Sequence, residues 1–187
     1  ITDLSKEAFR RSGFDVTEDK VHFNASWGRK YAVVRYSFFA GWQKINHFCA
    51  TNLIGRKDRF HQRMAELKSR VGDFADFYPQ SYVLPADQKE LEEVWKQRKL
   101  WIVKPTALSR GRGIYVASSE MSEPPNEEAV VQEYIERPML ITGRKFDLRF
   151  YVLVTSSSPL RIYMHDSGLV RFATKKYDPN ADPEDAH

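Results

Sequence analysis

Hydrophobic residues recur at two different spacings along the chain, and the change of spacing predicts two structural regions. Between residues 55 and 71 they return every three or four positions among basic side chains: Phe60, Met64, Leu67 and Val71. This spacing predicts a basic amphipathic helix over 55–71. Gly72 is expected to end that helix. We place a boundary there, between an N-terminal domain over 1–72 and a second domain over 73–187.

Two other segments carry the signals of helix starts. Ser5 is expected to cap a short helix that runs to Arg11. Asp87 is followed three residues later by Glu90, and such a pair predicts that a helix begins there and runs to about Lys99.

From residue 100 onward, short apolar or alternating runs replace the helical spacing. Strands are expected over 100–103, 114–117, 130–135, 146–155, 160–165 and 169–174, with an edge strand between the prolines of 78–85. Six strands in about 75 residues leave little room for crossover helices, so the sheet should be largely antiparallel. Asp166-Ser167-Gly168 is expected to connect the last two strands as a tight hairpin. The acidic, proline-bearing end from Tyr177 to Asp185 is expected to be a flexible loop or tail. Together these patterns predict an α+β fold.

Composition limits the kinds of molecule that the protein is expected to bind. The 187 residues carry a net charge of +4, which favours acidic partners such as phosphates, nucleic acid or carboxylate-rich peptides. Cys49 is the single cysteine, and no Cys and His cluster has zinc spacing, which excludes an internal disulfide and a zinc scaffold. No stretch approaches the roughly 18 consecutive apolar residues of a membrane span, so no membrane partner is expected.

The stretch LWIVKPTALSRGRGIYVAS, residues 100–118, sets a lysine and a glycine–arginine loop between two apolar runs. It is not a Walker A motif, because Lys104 precedes the glycines, and Val116 stands where a dinucleotide fingerprint needs its third glycine. A strand–loop–strand unit remains. In it the glycines can turn backbone N–H groups towards a phosphate, and Arg110 and Arg112 add charge. On spacing alone, a glycine-rich hairpin that binds nothing stays open as an alternative.

The long run RKFDLRFYVLVT alternates charged with apolar residues over its first half. Alternation turns five apolar residues towards a core: Phe146, Leu148, Phe150, Val152 and Val154. The other side carries Lys145, Asp147 and Arg149, and the next two strands add Arg161 and Arg171. An anion-binding surface fits this pattern, and so does an ion-pair ladder that keeps a sheet edge solvated.

The order of these segments resembles that of one family. WIVKPTALSRGRGI, followed by VVQEYIERPMLITGRKFDLRFYVLVTSSSPLRIYMHDSGLVRFATKKY, is similar to the nucleotide-binding core of the tubulin tyrosine ligase-like family, ATP-grasp enzymes that add amino acids to proteins. Upstream, QKINHFCATNLIGRKDRF and FYPQSYVLP also resemble this family, and most of all its polyglutamylase branch. The resemblance implies an ATP-grasp-like fold with a largely antiparallel central sheet and flanking helices, preceded by a small N-terminal domain.

The resemblance also implies which residues bind ATP. Lys104 matches the lysine that binds the phosphates, and the loop from Arg110 and Gly111 to Ile114 matches the loop that closes over them. Four residues match the hinge that holds adenine: Gln132, Glu133, Tyr134 and Ile135. Three more match the segment at the sugar and phosphates, where a carboxylate is a natural acceptor for ribose hydroxyls: Lys145, Phe146 and Asp147.

Two arginines are implied at the substrates. Arg171 matches an arginine that binds the carboxylate of the free amino acid, for which a guanidinium fork is suited. Arg110 matches a position that contacts the acceptor glutamate on the target protein. Lys104 and Arg110 are therefore the implied catalytic residues.

The implied reaction joins free L-glutamate to glutamates in the acidic C-terminal tails of tubulin, through an acyl phosphate, with ATP and Mg²⁺. The family's second half, with its metal ligands, has no counterpart before His187. No metal ligand is therefore assigned, and we expect an incomplete fold that does not turn over alone. The implied location is the cytoplasm and its microtubules, including the cilium or flagellar basal body.

Two alternatives stay open. The same core could ligate glycine or tyrosine, or the chain could be a noncatalytic, basic module that binds microtubules or nucleic acid. Nucleic acid is disfavoured, because the aromatic residues alternate within predicted strands instead of lying among the basic side chains. No DNA partner is expected.

Overall fold

The computed structural model describes residues 3–108, 111–120 and 122–179. The chain divides into two compact units, Ile1–Arg59 and Phe60–His187. The second unit begins within the sequence of a helix, twelve residues ahead of Gly72. The division into functional domains at Gly72 stays a prediction.

The first unit is built from short elements. They are helix α1 at Asp3–Arg11, strand β1 at Ala25–Ser26, a 3₁₀ turn at Val33–Phe38, strand β2 at Lys44–Ile45 and helix α2 at Asn52–Gly55. Strands β1 and β2 pair in parallel. Ser5 lies inside α1, so its predicted role as the N-cap is wrong. Asp3 already occupies the first turn, where the helix dipole favours an acidic side chain.

Helix α3, Lys57–Val71, confirms the helix expected over 55–71 apart from its first two residues. Arg56 is extended (φ −99°, ψ 134°) and separates α2 from α3. Gly72 has a φ of +57°, a left-handed conformation that ends helices, and a 3₁₀ turn follows. Of the α3 residues, His61 and Met64 are buried. No helix within the described ranges is long and apolar enough to cross a bilayer.

A four-stranded antiparallel sheet forms the centre of the second unit, and it confirms the expected pairing mode. Its elements are β3 at Ser81–Val83, helix α4 at Gln88–Val94, β4 at Leu100–Pro105, β5 at Tyr115–Ser118 and β6 at Ala129–Glu133. The strand order is β3-β6-β4-β5, with β3 at an edge as expected. All three pairings are antiparallel.

The core lies between one face of this sheet and α4 with the turn that follows it. Trp95 stacks on Trp101 of β4, with ring centroids 5.7 Å apart and planes 9° apart. Their indole N–H groups donate to the Ser122 and Trp95 carbonyls at 2.9 and 3.1 Å, so neither buried donor lacks a partner. Leu91 of α4 is fully buried, and its truncation to alanine is expected to cost about 2–5 kcal/mol.

Asp87 precedes α4 but does not cap it. Its carboxylate accepts from the Val83 backbone N–H at 2.6 Å, and no side-chain bond reaches the helix N-terminus. The predicted capping pair with Glu90 is therefore wrong. Helix α4 also ends before Lys99, because Trp95–Gln97 tightens into a 3₁₀ turn.

The remaining strands form separate, smaller ladders. They are β7 at Leu140–Ile141, β8 at Arg144–Arg149, β9 at Val152–Ser157, β10 at Leu160–Met164 and β11 at Leu169–Phe172. Strand β8 lies between β7 and β11, and β9 pairs with β10. The single strand predicted over 146–155 is thus two strands with different partners. Asp166-Ser167-Gly168 does not join neighbouring strands, since β10 and β11 belong to different ladders.

Along β8 and β9, three of the five residues that were expected to face a core are exposed, and Phe146 and Val154 are half-buried. Exposure is 52% at Leu148, 53% at Phe150 and 56% at Val152. In the described part of the chain these strands pack mainly against one another, and no helix covers them. The alternation is present, but the second layer that would bury one face of it is not among the described residues.

Candidate functional site

The loop between β4 and β5 depends on two glycines with positive φ. Gly111 has a φ of +77° and Gly113 a φ of +67°. A Cβ on Gly113 would lie 2.8 Å from Leu108 Cδ1, whereas one on Gly111 would meet nothing within 4 Å. The strand–loop–strand unit is confirmed. Arg110, the predicted contact to the acceptor, lies outside the described residues.

Lys104 on β4 is held by a side chain from the neighbouring strand. Its Nζ donates to Gln132 Oε1 at 2.5 Å. Lys104 lies directly opposite Val130, so Gln132 is its diagonal neighbour on the same side of the sheet. Gln132 is 7% exposed, and its amide nitrogen donates to Ser81 Oγ at 2.7 Å. The predicted phosphate lysine and the first predicted hinge residue are therefore in direct contact.

Lys145 on β8 lies among aromatic side chains. Its Nζ donates to the Tyr134 hydroxyl at 2.6 Å and lies 4.7 Å from the centroid of that ring. The Tyr177 ring is 5.5 Å from the same ammonium. Burial lowers the pKa of Lys145, and burial, aided by the Glu136 charge, raises the pKa of Tyr134. A desolvated cation of this kind is attracted by ring faces and strongly attracted by an anionic ligand.

Tyr177, the first residue of the segment expected to be a flexible loop or tail, makes two hydrogen bonds to the folded chain. Its backbone N–H donates to the Gly143 carbonyl at 2.8 Å. Its hydroxyl donates to the Glu136 carbonyl. These two bonds fix the ring beside Lys145. From residue 180 onward, the predicted segment lies outside the described residues.

The four predicted hinge residues divide between two sides of the chain. Gln132 and Tyr134 are two positions apart, and the Tyr134 N–H continues the ladder by donating to the Leu100 carbonyl at 3.3 Å. Extended residues at this spacing share a side, so the residues that hold Lys104 and Lys145 are neighbours. Glu133 instead pairs with Arg98 at 2.8 Å. Ile135 is 58% exposed.

Asp147 and Arg171 are paired across β8 and β11. They lie directly opposite each other in the ladder, and Arg171 donates from Nε and Nη2 to Asp147 Oδ2 at 2.9 and 2.5 Å. The bonds to Asp147 raise the pKa of Arg171. On the other side of the same ladder, the Phe146 and Phe172 rings lie 6.0 Å apart. Asp147 therefore pairs with the next strand and not with its own neighbours.

The described residues do not fit a magnesium site. They contain no group of three or more His, Cys, Asp or Glu side chains placed to hold a metal ion. Of the two carboxylates among the predicted site residues, Asp147 is bonded to Arg171 and Glu133 to Arg98. We therefore derive no chemical step through Mg²⁺.

Two contact residues, Ser81 and Tyr177, were missed by the sequence analysis. Ser81 bonds to Gln132 from 51 positions away, and Tyr177 reaches Lys145 through ring contact. Neither lies in a motif with a known phosphate-binding spacing. The signal that could have pointed to Ser81 is a polar residue among the otherwise apolar alternation of an edge strand.

Comparison with known proteins places this geometry in a family. Residues 36–187 match the Tubulin-tyrosine ligase family. Tubulin monoglutamylase TTLL4 of Mus musculus is 41% identical over 182 residues, which are 95% of this chain and 15% of that protein. Tubulin polyglutamylase ttll-4 of Caenorhabditis elegans is 37% identical over 93% of this chain and 29% of that protein. Tubulin polyglutamylase TTLL5 of Homo sapiens is 44% identical over 74% of this chain and 11% of that protein.

The chain belongs to the tubulin-tyrosine ligase family. It resembles relatives named as tubulin glutamylases, and it spans between 11% and 29% of the length of these three relatives.

Proposed function

We propose that the chain is the nucleotide-binding part of an ATP-dependent, ATP-grasp ligase that joins L-glutamate to glutamate side chains in the acidic tails of tubulin. The observation that carries the nucleotide site is the placement of Lys104 and Lys145. Both ammonium groups are bonded to side chains from one short segment, Gln132 and Tyr134. The names of the relatives support glutamate as the added amino acid and tubulin as the target.

In the proposed site, Lys104 and Lys145 bind the phosphates, and the backbone of the Gly111–Gly113 loop lies over them. A lysine within about 4 Å of a phosphate oxygen contributes about 4 kcal/mol at an effective dielectric constant of 20, before desolvation is subtracted. The segment 132–135 holds the adenine through backbone groups. Arg171, oriented by Asp147, binds the carboxylate of free glutamate through its guanidinium fork.

The proposed ligation has two steps. The carboxylate of the acceptor glutamate attacks the γ-phosphorus, which forms an acyl phosphate and releases ADP. The amine of free glutamate then attacks the acyl carbon, phosphate leaves, and an isopeptide bond remains. Fixed cations stabilise the negative charge on the transferring phosphoryl group. No covalent enzyme nucleophile is needed, because the acceptor carboxylate itself attacks the phosphorus.

The basic helix α3 is proposed to face the acidic tubulin tail. Part of its charge is already balanced, because Arg63 pairs with Glu66 at 2.7 Å and Lys68 with Asp76 at 2.8 Å. Charge complementarity at exposed residues mainly speeds encounter, so the helix is expected to affect the association rate and its salt dependence. We propose a cytoplasmic, microtubule-associated location, including the cilium or flagellar basal body.

The first experiment measures ATP binding by the chain with Lys104→Ala and with Lys89→Ala, an exposed lysine on α4. We expect a loss of affinity of at least about tenfold for Lys104→Ala and none for the control. Equal affinity of the two variants would remove Lys104 from the phosphate site.

The second experiment measures incorporation of labelled glutamate, glycine or tyrosine into tubulin by the full-length protein, with and without Mg-ATP. Glutamate incorporation that requires ATP supports the proposal. Incorporation of glycine or tyrosine instead favours the same fold with another substrate. Microtubule binding that is unaffected by ATP, without any incorporation, favours a noncatalytic module.

A further inference from the structure

We infer that Ser81 is a positioning residue, which fixes the Lys104 ammonium through the side-chain amide of Gln132. The three residues lie on three neighbouring strands, β3, β6 and β4. The inference deepens the proposed function and rests on it where it concerns ATP, since it adds a residue to the same phosphate site. Its structural part concerns only how the Lys104 amine is hydrogen-bonded, and it does not depend on whether ATP is the ligand.

The three hydrogen bonds that link Lys104, Gln132, Ser81 and Pro79 all run in one direction. Lys104 Nζ donates to Gln132 Oε1 at 2.5 Å, Gln132 Nε2 donates to Ser81 Oγ at 2.7 Å, and Ser81 Oγ donates to the Pro79 carbonyl at 2.8 Å. The two middle groups, Gln132 and Ser81, each accept at one end and donate at the other. Hydrogen bonds arranged in this way polarise and strengthen one another.

The direction is imposed by Lys104 at one end and by Pro79 at the other. An ammonium can only donate, so it requires the oxygen of the Gln132 amide and not its nitrogen. The Pro79 carbonyl can only accept, so the Ser81 proton points to it and an oxygen lone pair faces Gln132. A flipped Gln132 amide would set two donors against each other at Lys104. Ser81 is therefore the acceptor that keeps the amide in the productive orientation.

Burial makes this role of Ser81 consequential. Ser81 is 3% exposed and Gln132 7%, so water cannot readily replace a missing partner. Without the Ser81 hydroxyl, the Gln132 amide nitrogen would be a buried donor with no acceptor, which favours its rotation towards another partner. That rotation would withdraw the oxygen from Lys104. An ammonium that has lost this bond is less well ordered before a phosphate binds, which weakens binding.

The variants at Ser81 separate the effect of losing the hydroxyl from the effect of changing the shape of the side chain. Ser81→Ala removes the hydroxyl. Ser81→Thr and Ser81→Val differ from each other almost only in the hydroxyl, and both suit a strand, so this pair keeps the test valid if Ser81→Ala does not fold. Ser119→Ala is the matched control, because Ser119 is 2% exposed, its hydroxyl donates to the Arg98 carbonyl at 2.6 Å, and it follows β5 at the end away from Lys104.

The first measurement uses no nucleotide. Competitive acetylation of the folded chain with acetic anhydride, read at Lys104 by peptide mass spectrometry, reports how well the ammonium is stabilised. Loss of the Gln132 oxygen removes one hydrogen bond that favours the charged, unreactive form of the amine, so we expect labelling about two- to tenfold faster in Ser81→Ala and Ser81→Val. The rate in Ser81→Thr and Ser119→Ala should stay at the wild-type value. An unchanged rate in both variants that lack the hydroxyl would overturn the inference, and so would an equal increase in Ser119→Ala.

The second measurement is ATP affinity. We expect it to fall about two- to tenfold in Ser81→Val relative to Ser81→Thr, and not to fall further when Ser81→Val is added to Lys104→Ala. A loss of the same size in the Lys104→Ala background would show that Ser81 does not act through Lys104. If wild-type chain bound no ATP while the labelling results were as expected, the proposed function would fail and the positioning role would stand. If the wild-type chain bound ATP but the labelling rates were unchanged, the proposed function would stand and the positioning role of Ser81 would fail.

Discussion

Arg171 donates from Nε and Nη2 to one carboxylate oxygen of Asp147, at 2.9 and 2.5 Å. The resemblance assigns these two residues to different ligands, ribose for Asp147 and free glutamate for Arg171. A pair along one edge of the guanidinium fixes its plane, so Asp147 controls how Arg171 presents its remaining N–H groups. The two ligand sites are therefore expected to be linked through this pair.

Asp147→Asn in the full-length protein should raise the KM for glutamate as well as the KM for ATP. The amide cannot hold the guanidinium as the carboxylate does. We therefore expect the rate of glutamate incorporation to fall about tenfold at low glutamate. The loss should shrink at saturating glutamate, and Arg171→Ala should behave in the same way. Both side chains are more than half exposed, so the midpoint of thermal unfolding should change little.

Asp166→Asn is the control for this substitution, because the Asp166 side chain is 95% exposed and lies outside the pair. It should leave both KM values unchanged. An Asp147→Asn variant whose loss is equal at low and at saturating glutamate would remove the link between Asp147 and the glutamate site.

Gly113→Ala should harm the phosphate loop more than Gly111→Ala. Both glycines have positive φ, which costs a residue with a Cβ about 1–2 kcal/mol. At Gly113 the added Cβ would also lie 2.8 Å from Leu108 Cδ1, whereas at Gly111 it would meet open space. We therefore expect Gly113→Ala to show the lower unfolding midpoint in urea and the weaker ATP binding. Equal effects of the two substitutions would mean that Leu108 moves aside without cost.

Sequence alone predicts the features that depend on local patterns. The β4 and β5 strands with their glycine loop follow from alternation and from turn residues, and α3 follows from its helical spacing. Gly72 was correctly expected to end that helix, because a left-handed residue there suits glycine. These are properties of neighbours in the chain.

Features that depend on register or on a second layer could not be predicted. Ser81 meets Gln132 because β3 and β6 pair in one particular register across 51 positions, and no local signal sets that register. Phe150 has the alternation of a core residue, yet alternation states only which residues share a side and not whether anything covers that side. The pairing of Asp147 with Arg171 likewise depends on which strand lies beside β8, and no local pattern shows that.

Tyr134→Phe should weaken ATP binding through Lys145. The substitution keeps the ring beside the ammonium but removes the hydroxyl that accepts from Nζ at 2.6 Å. Burial already lowers the pKa of Lys145, and loss of this acceptor should lower it further, so that acetylation of Lys145 becomes about two- to tenfold faster.

Tyr177→Phe is the matched control for that comparison. It also keeps a ring near Lys145, but the hydroxyl that it removes donates to the Glu136 carbonyl and not to the lysine. Its Lys145 acetylation rate should stay close to wild type. If Tyr177→Phe and Tyr134→Phe accelerated acetylation equally, the effect would come from loosening of the whole cluster and not from the lost bond.

His61 should make the chain less stable as the pH falls below about 6.5. It is buried beside a cavity of about 390 Å³, its Nδ1 has no hydrogen-bond partner among the described residues, and its Nε2 lies 4.0 Å from Asp87. Burial lowers the His61 pKa, and the Asp87 charge offsets only part of that effect. Below the ordinary histidine pKa the unfolded chain binds a proton that the folded chain does not, so the free energy of unfolding decreases with decreasing pH.

Urea unfolding of wild type and His61→Gln at pH 7.5, 6.5 and 5.5 tests this expectation about His61. The variant should be less stable than wild type at pH 7.5, since a packed ring is lost, but its stability should fall less between pH 6.5 and 5.5. His165→Gln, at a side chain that is 64% exposed, should keep the wild-type slope. Because buried carboxylates would affect all three proteins alike, only a difference in slope between His61→Gln and the other two assigns the acid sensitivity to His61. Three parallel slopes would assign it elsewhere.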